Sequence, residues 1–436
     1  MLWQPSLPER YLAMKSDELA AAISRRRSEL GPELVILGHH YQTDEIIRHV
    51  DYTGDSLKLS QIAAKLVTER ASHEKQVKWV VFCGVHFMAE TADMLTPDHV
   101  DVILPDLSAG CSMADMAAYD DTVHAWETIH EALAARGWKG RIVPITYVNS
   151  TAAIKAFVGE HGGACCTSSN AEQVVRWALA GGQSPRATDG AEPEDIKILF
   201  LPDQHLGRNT VAKLGFDVAE RTCVYDPKLV RKGQDLGGAT PEQLERSVAI
   251  LWAGHCSVHK LFRPEHCRQI RAENAANGSE STTILVHPEC AKEVVDLADL
   301  NGSTEFIIKT IRSAPPGSRW AVGTEVHLVN RLAQEAKARG VHVRILSDCQ
   351  CLCTTMFRID EPHLLWVLDN LAGMDMKNPV HPAGEGAARG KARVVNAIKV
   401  HPQVRELALR ALDRMLSLSA APTRVEALAL AENGDR

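Results

Sequence analysis

Three cysteines follow short hydrophobic runs in matching surroundings: ILPDLSAGC ends at Cys111, ILWAGHC at Cys256 and RILSDCQCLC at Cys353. Counting from the isoleucine of each run, Cys111 lies eight residues on and Cys256 six. In the third copy Cys351 lies six on and Cys353 eight, so spacing leaves both open, and Cys349, at four, fits less well. Three thiolates meeting at one point suit a soft metal or an iron–sulfur cluster. A [4Fe–4S] cube held by three of them keeps one iron open as a Lewis acid able to promote elimination of water. Zinc on three thiolates is a rarer fit. No ferredoxin-type or zinc-ribbon spacing occurs, so any such centre is assembled from distant parts of the chain. Cys83, Cys165, Cys166, Cys223, Cys267 and Cys290 have no counterpart between copies and read as packing residues.

Polar residues cluster where other hydrophobic runs end. His39, His40, Tyr41 and Gln42 follow the first, Tyr147 and Asn149 the second, and His287 and Glu289 the third. Tyrosine, histidine and glutamate are side chains that move protons. Taken singly, each is also an ordinary polar residue at a junction, and His287 before Pro288 reads equally as the cap of a helix whose first turn holds the proline. From 16 to 19 residues further on comes a turn that opens a helix, with Ser56, Ser168 and the Ser303-Thr304 pair in its three copies. Helix starts offer unpaired N–H groups and a positive dipole end, which suit carboxylate or phosphate. One such turn reads as a simple cap; three in register point to a ligand with several anionic groups. His86, His205 and His327 also recur, and read equally as junction contacts.

The elements that must carry these residues repeat three times. Each copy runs strand, polar cluster, short helix, turn and helix, then strand, histidine and helix, then strand and cysteine. Strands alternating with helices predict an α/β fold of parallel sheets in α/β/α layers, with ligands at the carboxyl ends of strands. The expected divisions are 1–116 with a lead-in helix, 117–260 enlarged by polar insertions near 181–197 and 226–247, and 261–353. The segment 354–436, which contains two further helices and a Gly/Pro/Ala-rich link near 377–393, is expected to pack back on the first. The 436 residues are 45% hydrophobic and 24% charged with net charge −7, which argues against nucleic acid. No run suits a membrane span or a signal peptide. Eleven irregularly spaced cysteines fit a reducing cytoplasm rather than a disulfide scaffold.

The stretches GHHYQ, YTGDSLKLS, VFCGVHFMAETADML, PDLSAGCSMADM, TYVNS, CTSSNA, LPDQHLGRNT, WAGHCSVH, HPEC, GSTEF, GTEVHLVNRL and CTTMFRIDEPHLLWVL resemble the quinolinate synthase family, in order, over residues ~33–375. The resemblance implies three α/β/α domains around a pseudo-threefold axis and a central [4Fe–4S] cluster. It implies an enzyme of NAD biosynthesis that condenses iminoaspartate with dihydroxyacetone phosphate to quinolinate, phosphate and water, with the enzyme that oxidises aspartate upstream as a candidate partner. By position it implies Cys111, Cys256 and Cys353 as cluster ligands, Cys353 standing in the family's C-x-x-M context. It implies His39, Tyr41, Ser56, Tyr147, Asn149, Ser168, His287, Glu289, Ser303 and Thr304 as cavity residues. Tyr41 and Glu289, assisted by Tyr147 and His287, are the acid–base candidates; Ser56, Asn149, Ser168, Ser303 and Thr304 would hold anions. The alternatives are another [4Fe–4S] hydro-lyase acting on a small hydroxy acid, and a non-catalytic zinc or redox-sensing protein.

Overall fold

The computed structural model describes residues 4–70, 77–182, 195–277, 281–348, 351–374 and 391–420. Cys349, most of the first expected insertion, most of the Gly/Pro/Ala-rich link and the last 16 residues lie outside these. The strands fall into three mostly parallel sheets, and the contacts divide the chain into two units. Met1–Cys111 with Ile308–Val400 forms one unit; Ser112–Ile307 with His401–Arg436 forms the other.

In the first unit β1 (Leu34–His39), β2 (Tyr52–Gly54), β3 (Trp79–Cys83), β4 (Asp101–Ile103) and β14 (Ala397–Ile398) lie in the order β14-β4-β3-β1-β2. All pairs are parallel except β14–β4. Every residue of β1 is buried. A strand covered on both faces needs a continuous apolar run, and LVIL supplies one; each such side chain contributes about 1.5–3 kcal/mol by burial. Helices α1 (Ser16–Leu30), α2 (Ser56–Arg70) and α3 (His86–Leu95) belong to this unit, as do α8 (Val326–Lys337) and α9 (Glu361–Leu371). Strands β12 (Arg319–Gly323) and β13 (His342–Ile345) pair in parallel there. Asp369 of α9 accepts hydrogen bonds from Tyr11 at 2.8 Å and from Arg26 of α1 at 2.7 Å, so the lead-in helix is anchored through a partly buried carboxylate.

The second unit holds β5 (Arg141–Tyr147), β6 (Ala164–Cys166), β7 (Ile196–Leu201), β8 (Thr222–Tyr225) and β9 (Ala249–Trp252) in the order β6-β5-β7-β9-β8, all parallel. Strands β10 (Thr282–Val286) and β11 (Leu300–Asn301) pair there too. Its helices include α4 (Ala152–Glu160), α5 (Ala171–Leu179), α6 (Gln204–Lys213) and α10 (Pro402–Ala420), while α7 (Thr304–Arg312) leads out of it. In both five-stranded sheets the chain steps to one side for its second strand and to the other for its third. The crevice left by that reversal, between β1 and β3 and between β5 and β7, opens at the strands' carboxyl ends, where α/β sheets bind ligands.

Helix α10 carries a fully buried stripe of Ala408, Ala411, Leu412 and Met415, the period of an amphipathic helix. It packs on α4, where Gly159 makes the approach possible: a Cβ there would lie 1.9 Å from the Leu407 carbonyl. Farther along, Ser419 Oγ accepts a hydrogen bond of 2.6 Å from Asn170 Nδ2 in the turn that holds Ser168. Gly159→Ala is therefore expected to push α10 outward. The substitution should cost about 1–3 kcal/mol in thermal or urea unfolding.

Candidate active site

The third strand of each copy is followed by a loop fastened in one way. The first residue of the preceding helix donates its backbone N–H to the carbonyl two residues before a cysteine. His86 of α3 donates to Ala109, before Cys111, at 2.8 Å; Gln204 of α6 donates to Gly254, before Cys256, at 3.1 Å; Val326 of α8 donates to Cys351, before Cys353, at 3.1 Å. The third bond separates the two candidates left by spacing, because the residue equivalent to Cys111 and Cys256 is Cys353. Cys111, Cys256 and Cys353 are also the only described cysteines that keep some exposure. Burial pushes the thiols of Cys83 and Cys165 up to about 12, so these remain protonated and pack as small hydrophobes. Burial raises Cys353 as well, opposed by the N–H of Met356 and the Thr355 hydroxyl. Three sulfurs on equivalent loops, each beside a helix start, fit an iron–sulfur centre with three protein ligands.

Within the first unit the Cys111 and Cys353 loops are tied together. Arg358 donates to Ser108 Oγ at 3.0 Å, and Ser108 donates to Asp106 Oδ1 through both its N–H and its hydroxyl. Gln42 Nε2 reaches the Met356 carbonyl at 3.1 Å, joining the end of β1 to the Cys353 loop. Arg331 of α8 clamps the same strand end by donating to the carbonyls of His40 and Gln42. Tyr41, so framed, places its hydroxyl 3.0 Å from Thr324 Oγ1. His39 is buried and stands edge-on to the Tyr41 ring at 4.6 Å.

In the second unit Tyr147 and Glu289, distant in sequence, meet in a buried network. The Tyr147 hydroxyl donates to Glu289 Oε1 at 2.6 Å, and His259 Nδ1 bonds to Glu289 Oε2 at 2.8 Å. The His259 and His287 rings stack at 4.4 Å. Burial by itself would raise the Glu289 carboxyl. The facing His259 and the bonds from His259 and Tyr147 outweigh it and hold the group below the usual carboxylate range. Burial, followed by the neighbouring His259, pushes His287 down to about 3 against the attraction of Glu289, so this imidazole is neutral. One ligand atom from each of Cys256, His259 and Glu289 falls within 4.8 Å of the others, which places the thiol beside the proton-handling network.

His39 and His287 share a detail that spacing does not reveal. His39 Nδ1 accepts the N–H of Tyr41 at 3.1 Å, and His287 Nδ1 accepts the N–H of Glu289 at 3.3 Å. Both rings are thereby held as the tautomer with its proton on Nε2, a fixed donor. The turn this makes at His287 also corrects one expectation. His287 caps no helix; the next one begins at Lys292 with Ala291 as its cap residue, and Pro288 lies in the turn.

The expected anion turns differ in how free their hydroxyls are. Asp55, not Ser56, caps α2 by accepting the Lys58 N–H at 2.9 Å, leaving the Ser56 hydroxyl at the helix start. Ser168 sits in a turn held by Asn170, whose Oδ1 accepts the N–H and the hydroxyl of Thr167. Ser303 accepts the Phe306 N–H at 3.3 Å as the cap of α7, with Thr304 as its first residue, both buried. Asn149 Oδ1, buried just past β5, has no hydrogen-bond partner among the described residues. An orphaned buried acceptor is costly in a finished fold and is explained by a ligand that supplies a donor.

The model of the family described as quinolinate synthetase A protein matches residues 21–417. Proteins named quinolinate synthase from Acidobacterium capsulatum, Nocardioides and Bacillus velezensis are 46%, 48% and 45% identical to this chain. The alignments cover 94%, 90% and 94% of it and 95%, 87% and 96% of those proteins, in the same order. The chain belongs to the quinolinate synthase family.

In this quinolinate synthase family member His259 is the site residue that sequence reasoning missed. It follows Cys256 by three positions in a loop with no counterpart in the other copies, so the repeat gave no reason to select it. The Cys-x-x-His spacing was the available signal. The neutral His287 predicts how stability varies with pH. Its folded value near 3 lies below the ordinary ~6.5 of the unfolded chain, so on acidification the unfolded state takes up the proton first. Stability is full above ~6.5 and falls as pH drops toward 3, by about 2 kcal/mol between pH 7.5 and 5 from this group. Glu289, depressed as a carboxylate, contributes fully above its unfolded value near ~4.3 and loses its contribution only below it, outside that window. Anaerobic urea unfolding at pH 7.5 and 5 should show a smaller difference for His287→Gln than for the parent.

Proposed function

We infer that this chain is an iron–sulfur quinolinate synthase, condensing iminoaspartate with dihydroxyacetone phosphate to quinolinate with release of phosphate and water. The observation that carries the reading is the shared fastening of three partly exposed cysteines, one of them beside a buried Tyr–Glu–His network. Cys111, Cys256 and Cys353 would hold a [4Fe–4S] cluster, which supplies an open iron as Lewis acid for dehydration. The chain's own residues do the rest. Ser56, Ser168, Ser303 and Thr304 offer hydroxyls and helix-start amides to carboxylates and phosphate, and Asn149 adds its amide. His39 and His287 present Nε2–H as fixed donors toward oxygen that gains negative charge.

Proton movement falls to two tyrosines. Tyr147 has an ionised carboxylate behind its hydroxyl, so it can lend a proton forward while Glu289 and His259 stabilise either state. Tyr41, paired with the Thr324 hydroxyl, serves as the second acid–base group. Binding both substrates against these groups sets the reacting carbons together, replacing a bimolecular encounter. The imine comes from an aspartate-oxidising enzyme upstream, and the free thiols suit work in a reducing cytoplasm. The direct test is an anaerobic assay for pyridine-2,3-dicarboxylate run beside iron and sulfide analysis. Product formation with about four iron and four sulfide per chain supports the reading; a loaded protein that forms none would refute it.

A further inference from the structure

Asp203 is fully buried at the start of α6, and its carboxylate does more than cap the helix. Its Oδ1 accepts the N–H groups of His205 at 2.7 Å and Leu206 at 2.9 Å, the ordinary capping bonds. The backbone N–H of Cys256 also hydrogen-bonds to the carboxylate. Backbone pairing between Asp203 and Gly254, with the Gln204 N–H on the Gly254 carbonyl, brings the same loop against the same helix start. Oδ2 has no partner among the described residues. In the third copy Glu325 caps α8 in the same way, accepting the N–H groups of His327 and Leu328. In the first the position is Val85, with no side-chain cap. A cap alone needs one oxygen, and serine or asparagine would serve without burying an ionisable group. The acid at 203 therefore has a reason beyond capping, and the Cys256 N–H is the partner that a shorter side chain could not reach.

We propose that Asp203 is a positioning residue for Cys256: its carboxylate binds the Cys256 N–H and fixes the direction in which that thiol faces the metal centre. The proposal rests on the reading of Cys256 as a cluster ligand. Hydrogen-bonded partners of metal ligands hold the ligand's orientation, and removing one typically costs about 10–100-fold in metal affinity. Asp203→Ser separates capping from positioning, since serine still caps α6 but falls short of residue 256. Asp203→Asn retains an acceptor oxygen at the original reach.

The test is iron release to a ferrous chelator, followed by loss of visible absorbance in anaerobically purified full-length protein. Thermal unfolding runs in parallel, and Cys256→Ala serves as reference. Asp203→Ser should release iron about tenfold faster than the parent while unfolding within a few degrees of it, and Asp203→Asn should restore slow release. Parent-like release from Asp203→Ser would overturn the proposal. So would release from Asp203→Asn as fast as from the serine variant, because charge rather than reach would then be at work. Parent-like retention by Cys256→Ala would bring down the ligand reading itself, and the proposal with it.

Discussion

Replacing Cys111, Cys256 or Cys353 singly by alanine is expected to abolish both iron–sulfur absorbance near ~400 nm and turnover, by about 10³-fold or more. The same change at Cys351 should leave both nearly intact. This contrast is sharp because Cys351 and Cys353 are two residues apart and equally plausible by spacing. Cys351 is buried, its sulfur lies 3.1 Å from Ser347 Oγ, and its carbonyl takes the α8 amide. A backbone carbonyl survives mutation to alanine, so the loop keeps its shape. Cys353 occupies the position that Cys111 and Cys256 occupy in their loops and retains exposure. Purified variants compared by iron content, absorbance and quinolinate formation decide the matter. A Cys353→Ala protein with full iron, or a Cys351→Ala protein with none, would reverse the assignment.

Glu289→Gln is expected to lower kcat by about 10²–10⁴-fold while shifting KM far less. The amide keeps the shape of the carboxylate but cannot take a proton from Tyr147, and its NH₂ group meets a hydroxyl or a ring nitrogen that needs an acceptor. Tyr147→Phe should reduce kcat in the same range. It also removes a bond to a fully buried carboxylate, with a stability cost of about 1–3 kcal/mol. Because Glu289 is held below the usual carboxylate range, its own ionisation should leave no inflection in kcat/KM between pH 6 and 9. Steady-state kinetics across that range on both variants is the measurement. Retention of kcat within a few-fold by Glu289→Gln would remove the carboxylate from the chemistry.

Much of this was legible before any coordinates. Parallel strands buried on both faces must be written as unbroken apolar runs, so VIL, IVPI and ILFL announced themselves, and the polar residues just past them were marked by position. Strands of two to four residues were not legible: β2, β6 and β11 read as turns, and β8, an edge strand, was hidden in TCVY beside an expected insertion. Pairing across a sheet selects such segments, and a local pattern carries no trace of it. At the site, side chains that act alone were found, whereas those defined by partners were not. His259 matters because of Glu289, 30 residues away, and Asp203 because of Cys256, farther still. The helix wrongly begun at His287 fails for a related reason: the ring nitrogen is spent on the Glu289 amide, and the tight turn that results delays the helix to Lys292.

The bond that secures each thiol loop joins main chain to main chain, and its six participants share no chemistry: His86, Gln204 and Val326 give, while Ala109, Gly254 and Cys351 receive. Such a latch is indifferent to mutation in every letter but proline, which alone lacks the amide hydrogen. Evolution was thus free to rewrite the surroundings of each sulfur separately, giving one an aspartate, another a glutamate and the third a valine, without loosening the grip on any. An engineer wishing to retune the centre has the same freedom, provided those three amides are left alone.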